Sequence, residues 1–254
     1  MELASANLPH PTSFATLSRN FTPGWNRAWL GNRKAIFLSK RTTRRGATMI
    51  YEVRTYTLRP GSVPEFEKNF GEALPYREKY SKLGAFWHTE IGPLNQVIHV
   101  WPYESVEERD SIRAEAAKDD HWPPPNDPEM YVSMNSEIFI PAPFMRPLGG
   151  GQALGKIYEM RSYTYKTGSI GKVVDIWADA VPHREAHSPL AAAMYTDVGG
   201  LNKWVHIWPY EDLEQRNTIR AEASKSPHWP PPTREFLVNQ ENKIMVPSSF
   251  SPMH

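Results

Sequence analysis

Two histidines occupy matched positions in two similar stretches of the chain, and each lies among aromatic and charged residues that could bind or react with a small molecule. His99 lies in the run QVIHVW and His206 in KWVHIW. Imidazole changes its charge near neutral pH, so either histidine could serve as a base or as a ligand. A buried, hydrogen-bonded histidine with a structural role is the competing interpretation.

Strand alternation predicts which side chains share a surface with these histidines. The first run IYEVRTYT (Ile50–Thr57) and its repeat IYEMRSYT (Ile157–Thr164) each place an acid, an arginine and a tyrosine on one face. That face also carries a histidine and a tryptophan from another strand. The predicted ligand-binding residues are Glu52, Arg54, Tyr56, His88, His99, Trp101, Glu159, Arg161, Tyr163, Tyr195, His206 and Trp208.

Other site chemistries find less support. His88, Glu90 and His99 could form a metal site of two histidines and one carboxylate, but the second copy has Tyr195 and Asp197 instead, so no metal is predicted. The arginine pairs at helical spacing, Arg109–Arg113 and Arg216–Arg220, are expected on a solvated face or in salt bridges between the repeats. The sequence therefore names no catalytic residue.

Composition excludes several classes of function. The chain has 254 residues, a net charge of +1 from 29 basic and 28 acidic side chains, and no cysteine. Near-neutral charge argues against nucleic acid as a partner, and the absent cysteines exclude disulfides and thiolate chemistry. No apolar run reaches the ~20 residues that a membrane-spanning helix needs.

The elements that must position the candidate residues come from an internal repeat. Residues 50–125 align without a gap onto residues 157–232, and each copy has the predicted order β-α-β-β-α-β. The first helices are expected from about Val63 to Tyr80 and from Ile170 to His187, kinked or split by their internal prolines. The last strands are expected near Glu137–Ile140 and Lys243–Val246.

This order predicts an α+β fold of two tandem ferredoxin-like repeats. Each repeat forms an antiparallel sheet with both helices on one face, so the other face needs a cover. We expect the two sheets to pack face to face as a pseudo-dimeric α/β barrel, with the candidate residues inside it. The predicted domains are residues 49–148 and 156–254, joined by a glycine-rich linker at 149–155. Because Phe86 is replaced by Ala193 in the second copy, the cavity should be roomier there.

Residues 1–48 differ in composition from the repeats. Glu2 is their only acid, and arginine, serine and proline are frequent. They are expected to be a disordered extension upstream of Met49 or a targeting presequence. The first alternative predicts a cytoplasmic protein, the second a mitochondrial one.

The chain resembles the NIPSNAP family over both repeats. The resemblance rests on the IYE-x-R-x-Y-T first strand, the LN-x-x-x-H-x-W third strand and the terminus VPSSFSPM. It implies ferredoxin-like domains of the dimeric α/β-barrel type, often in tandem. Some members are linked to mitochondria and vesicle handling, and related barrels include small monooxygenases and haem-handling enzymes.

Three functions follow as hypotheses. The leading one is a non-catalytic binding protein whose partner is another protein or a small hydrophobic ligand, with a homo-oligomer as a further option. The second is a monooxygenase-like enzyme without a bound cofactor, acting on an aromatic or hydrophobic substrate. The third is a haem-binding barrel with His99 or His206 as axial ligand. A hollow or a filled barrel interior would discriminate among them.

Overall fold

The computed structural model describes residues 49–254, which form eight strands and four α-helices in two similar halves. The expectations for residues 1–48 lie outside this range. The first repeat contains β1 (Ile50–Leu58), α1 (Val63–Arg77), β2 (Ala85–Ile91), β3 (Gln96–Tyr103), α2 (Val106–Ala116) and β4 (Tyr131–Pro141). The second contains β5 (Ile157–Tyr165), α3 (Ile170–Glu185), β6 (Ala192–Val198), β7 (Lys203–Tyr210), α4 (Leu213–Ala223) and β8 (Leu237–Pro247).

The eight strands close into one antiparallel barrel in the order β1-β3-β2-β8-β5-β7-β6-β4. Each repeat supplies four neighbouring strands. The two sheets join where β2 pairs with β8 and β4 pairs with β6. The predicted tandem ferredoxin-like barrel is confirmed, and edge-to-edge hydrogen bonds as well as facing side chains hold its halves together.

Local sequence signals explain most element boundaries. Ser105 caps α2 by accepting a hydrogen bond from the backbone N–H of Glu108, at 3.2 Å, and Asp212 caps α4 through Gln215, at 2.7 Å. The connection from β2 to β3 turns through Gly92 at φ +109° and Asn95 at φ 57°, values that glycine and asparagine tolerate best.

The first helix and the last strand of each repeat differ from their predictions. Pro75 and Pro182 lie within the last turns of α1 and α3, and neither helix is split. A proline there removes one hydrogen bond close to the helix end, where little helix remains to be disrupted. The last strands are longer than predicted, 11 residues each, because their first halves are exposed and polar and carry little hydrophobic signal.

The barrel interior is lined by the aliphatic face of the strands. Val53 and Val100 of the first repeat share one buried cluster with Met160 and Ile207 of the second, and the rings of Tyr51, Trp87 and Tyr158 are buried in the same cluster. The polar and aromatic face points the other way, toward the helices, so the predicted location of the candidate residues is wrong. Those on the outer face are Glu52, Arg54, Tyr56, His88, His99, Trp101, Glu159, Arg161, Tyr163, Tyr195, His206 and Trp208.

The helices themselves explain this orientation. Arg109 and Arg113 of α2 reach the carboxylate of Glu52, so charged groups on this face of the sheet find their partners beneath a helix. The barrel interior has no helix to supply such partners, and burying an unpaired charge there would be costly. Apolar side chains fill it instead, except at one end.

Each repeat is also covered by a segment that follows the other repeat's last strand. Phe250, after β8, stacks on Phe70 of α1 at 5.7 Å between ring centroids. The equivalent Phe144, after β4, contacts Trp204 at 6.3 Å. No helix within residues 49–254 is long and apolar enough to cross a membrane.

Candidate functional site: two clefts between sheet and helices

Most of the candidate side chains line two equivalent clefts on the outside of the barrel, one in each repeat. The first-repeat cleft, of about 200 Å³, contains Arg54, Tyr56, His99, Trp101 and Arg113. The second-repeat cleft, of about 450 Å³, contains Arg161, Tyr163, His206, Trp208 and Arg220. The prolines of the two HWPPP segments form part of each wall.

A tryptophan fixes the hydrogen-bonding role of each histidine. Trp101 Nε1 donates to His99 Nδ1 at 2.8 Å, and Trp208 Nε1 donates to His206 Nδ1 at 2.8 Å. An indole N–H can only donate, so Nδ1 must accept, and in the neutral ring the proton is on Nε2. Both Nε2 atoms are buried and have no hydrogen-bond partner among the described residues. Each histidine that lines a cleft therefore has one N–H without a hydrogen-bond partner, on a nitrogen that is shielded from solvent.

Both imidazoles are held neutral. Burial, reinforced by the charges of Arg54, Arg113 and Arg77, lowers the pKa of His99 to about 3, and Glu52 only partly opposes this. Burial and the charges of Arg161, Arg220 and Arg184 lower the pKa of His206 well below its usual value. The exposed fraction of these residues is only 3% for His99 and 2% for His206.

One buried carboxylate anchors the arginines beneath each cleft. Arg54 and Arg109 each donate to Glu52 Oε1 at 2.7 Å, as does the hydroxyl of Ser136. Burial favours a raised pKa for Glu52, but the hydrogen bonds from Arg109 and Ser136 and the charges of Arg54 and Arg113 outweigh it and lower the pKa to about 2.

The second repeat reproduces this anchor. Arg161 and Arg216 donate to Glu159 Oε1 at 2.8 and 2.6 Å. Its pKa is also lowered, since these contacts and the charge of Arg220 outweigh the effect of burial.

A further arginine in each cleft is buried without a carboxylate. Arg184 is 2% exposed; it donates to the hydroxyls of Ser188 and Tyr210, at 2.8 and 3.0 Å, and lies over the ring of Trp208. Arg77 makes the equivalent contacts with Ser81, Tyr103 and Trp101. Neutral hydroxyls satisfy the donors of these guanidinium groups but do not balance their charge. Both clefts thus keep an excess of positive charge.

The barrel interior has a cavity of its own at one end, of about 490 Å³, lined by polar residues of both repeats. Its charged groups have hydrogen-bond partners. Lys203 Nζ donates to Glu137 at 2.6 Å, Lys243 Nζ donates to the side-chain oxygen of Gln96 at 2.8 Å, and Glu241 accepts from Asn239 at 3.3 Å. The other part of the interior is filled by the apolar cluster. The clefts, unlike this cavity, contain unsatisfied buried donors.

Comparison with known proteins identifies the family of this chain. The family model described as NIPSNAP matches residues 51–146 and 158–252, one copy for each repeat. The chain belongs to the NIPSNAP family. It is 29% identical to the human protein NipSnap homolog 3A over 227 residues, which cover 81% of this chain and 86% of the relative. It is 28% identical to the Drosophila melanogaster protein NipSnap, over 80% of this chain and 78% of the relative.

Two solved structures match one repeat and most of the chain, respectively. A NIPSNAP-like domain protein from Burkholderia xenovorans is 36% identical; the match covers 40% of this chain and 92% of that one, with a TM-score of 0.38. A candidate monooxygenase from Fusobacterium nucleatum matches 79% of this chain and 92% of its own, with a TM-score of 0.59 at 12% identity. At that identity the likeness shows the fold alone.

Four of the predicted site residues of this NIPSNAP chain do not line the clefts. Glu52 and Glu159 lie beneath the arginines as their anchors. His88 Nδ1 is 2.7 Å from Glu67 of α1, and Tyr195 faces a separate groove beside Ile170 and Val174. No group of three or more histidine, aspartate or glutamate side chains within residues 49–254 could hold a metal ion.

Sequence reasoning missed the arginines that the helices contribute. Arg109, Ile112, Arg113 and Ala116 share one face of α2, and Ala116 is buried against the sheet, so the arginines on that face point inward. The expectation of a solvated face or of salt bridges between repeats is therefore wrong for Arg109, Arg113, Arg216 and Arg220. Arg77 and Arg184 lie in matching runs of the two repeats, PYRE (75–78) and PHRE (182–185), and this repetition was the only sequence sign of their importance. Helical periodicity does not indicate that an arginine is buried.

Proposed function

We propose that this NIPSNAP-family protein is a non-catalytic binding protein that holds a small molecule between the sheet and the helices. The observation that carries the proposal is the unpaired Nε2–H of each buried histidine, in a cleft lined by guanidinium groups. A buried donor without a partner costs roughly 1–3 kcal/mol, so a ligand that enters the cleft far enough to bring an acceptor to this shielded atom gains affinity by satisfying it.

The same geometry favours binding over proton abstraction. A general base needs a free lone pair, and the only lone pair of the neutral His206 ring, on Nδ1, accepts the N–H of Trp208. A pKa well below the usual value makes the ring a poor base as well. His206 is suited to donating a hydrogen bond, as is His99.

The haem hypothesis loses support for a related reason. Axial ligation needs an unprotonated imidazole nitrogen, and here the Nε2 that is not engaged by tryptophan carries the proton. Iron ligation would require both a tautomer change and loss of the tryptophan hydrogen bond. The site residues therefore do not fit a haem ligand.

Binding of 8-anilinonaphthalene-1-sulfonate, followed by its fluorescence, tests the proposal. Arg161→Gln removes one guanidinium charge from the second-repeat cleft, and Lys203→Gln is the matched control, a charge-to-amide change in the barrel cavity. We expect Arg161→Gln to weaken probe binding about tenfold and Lys203→Gln to leave it unchanged. The opposite pattern would place the binding site inside the barrel, and the proposal would then be wrong.

A further inference from the structure

Resting on the proposed function, we infer that the second-repeat cleft binds an aromatic oxyanion, a planar ring system bearing a carboxylate or a phosphate, at one molecule per chain. The first-repeat cleft stays empty of such a ligand. Three features support this inference: the charge of the cleft, the orientation of its donors and the difference between the two copies.

The charge of the second-repeat cleft calls for an anion. Five guanidinium groups lie around this cleft or on the Glu159 carboxylate beneath it: those of Arg161, Arg184, Arg216, Arg220 and Arg234. Within residues 49–254, Arg161, Arg216 and Arg220 form salt bridges with one carboxylate only, that of Glu159. Arg184 and Arg234 form no salt bridge within that range. An anionic group would supply the missing countercharge in a site partly shielded from water.

The polar groups that surround the free space are mostly donors. Guanidinium groups and the His206 Nε2–H can only donate. A carboxylate or a phosphate has only acceptors in its ionised form and can take two parallel hydrogen bonds from one guanidinium. Water could satisfy the donors but would leave the charge unbalanced.

Aromatic walls define the rest of the ligand. Trp229 stands edge-on to Trp177 and Trp208, with ring centroids 5.5 and 5.8 Å apart. Tyr163 and the prolines of the HWPPP segment complete a mostly flat-sided space. A volume of about 450 Å³ accepts a bicyclic ring system, and offset or edge-on ring contacts favour a planar one.

Three exchanges between the repeats make the second cleft the larger and more polar one. Tyr131, which packs edge-on to Tyr56 at 5.9 Å in the first cleft, is replaced by Leu237. Met134 is replaced by Gln240, and Pro128 by Arg234. The first-repeat cleft therefore has less than half the volume and one arginine fewer.

Calorimetric titration of the full chain with three probes tests the inference. The probes are 2-naphthoate, 2-naphthyl phosphate and the uncharged 2-naphthamide. We expect at least one of the two anions to bind with a stoichiometry of one, about tenfold or more tighter than the amide. The order of the two anions tells which oxyanion the cleft prefers.

Matched variants locate the bound anion. Arg220→Gln and Arg113→Gln change equivalent arginines whose side chains are both 40% exposed. Arg220→Gln should weaken anion binding about tenfold, while Arg113→Gln should leave it within twofold. Leu237→Tyr should close the site, and Tyr131→Leu should open the first cleft and raise the stoichiometry toward two.

The outcomes separate this inference from the proposed function. If the amide binds in the second cleft as tightly as the anions, the cleft binds small molecules but the oxyanion inference is overturned. Equal losses from Arg113→Gln and Arg220→Gln would overturn the assignment to one cleft. If none of the three probes binds, both the inference and the proposed function are wrong for aromatic ligands.

Discussion

The hydrogen bonds from Trp101 and Trp208 determine how His99 and His206 respond to pH. Each ring stays neutral in the folded protein because its pKa is lowered by burial and by the neighbouring arginines: Arg54, Arg113 and Arg77 around His99, and Arg161, Arg220 and Arg184 around His206. In the unfolded chain both would titrate near pH 6.5. The unfolded state then binds more protons as the pH falls below that value, so stability decreases toward acid.

We expect each histidine to lower the free energy of unfolding by about 1 kcal/mol between pH 7.5 and pH 5.5. Urea unfolding at the two pH values measures this loss. In His206→Gln the loss should shrink by the same amount, because one titrating group is removed. An unchanged pH dependence in that variant would show that His206 has the same pKa in the folded and the unfolded protein, which would contradict a lowered pKa.

The buried carboxylates of Glu52 and Glu159 are expected to stabilise the fold, because each offsets the charge of several arginines. Glu159→Gln removes the charge that offsets Arg161, Arg216 and Arg220 in a buried site. We expect a loss of about 3–5 kcal/mol in the free energy of unfolding, since breaking a buried ion pair leaves uncompensated charge. Glu214→Gln, an exposed change in the first turn of α4, should cost less than about 0.5 kcal/mol and serves as the control.

At the scale of elements, the segment after β8 belongs to the core of the first repeat. Met253 is fully buried in the barrel cluster, and the backbone N–H of Phe86 donates to Ser251 Oγ at 3.0 Å. Met253→Ala should cost about 2–5 kcal/mol in urea unfolding. Met134→Ala, at a half-exposed position of β4, should change stability by less than about 1 kcal/mol. A similar small effect at Met253 would mean that the segment is not packed.

The sequence was sufficient to predict the elements, the repeat and the barrel. Alternation along β1 and β3 correctly divided the strands into an aliphatic and a polar face. It could not tell which face the helices cover, because periodicity is the same for either choice. The answer depended on Arg109 and Arg113 pairing with Glu52 across 57 and 61 positions of sequence, a contact that no local pattern encodes. Most of the predicted site residues line the two clefts, outside the barrel and not inside it as predicted, and their role in ligand binding stays a prediction.

At the scale of the whole molecule, neither repeat is complete alone. A fragment of residues 49–148 would expose the edges of β2 and β4, which pair with β8 and β6 in the full chain, and half of the apolar barrel cluster. We expect that fragment to form a homodimer resembling the full chain, or to aggregate. Analytical ultracentrifugation measures the outcome, and a stable, folded monomer would contradict the account.

The cytoplasmic location stays a prediction. Fusing residues 1–48 to a fluorescent protein and imaging the fusion in cells tests it, with the fluorescent protein alone as control. Diffuse fluorescence is the expected result. Accumulation in mitochondria would support the presequence alternative instead.

The most direct test of the central claim is ¹⁵N NMR of the histidine side chains at pH 7, with and without 2-naphthoate. The account predicts that His99 and His206 are neutral with the proton on Nε2, and that 2-naphthoate shifts the Nε2–H signal of His206 but not that of His99. An imidazolium, or a proton on Nδ1, would contradict the donor role of these residues. A response confined to residues of the barrel cavity would contradict the location of the site.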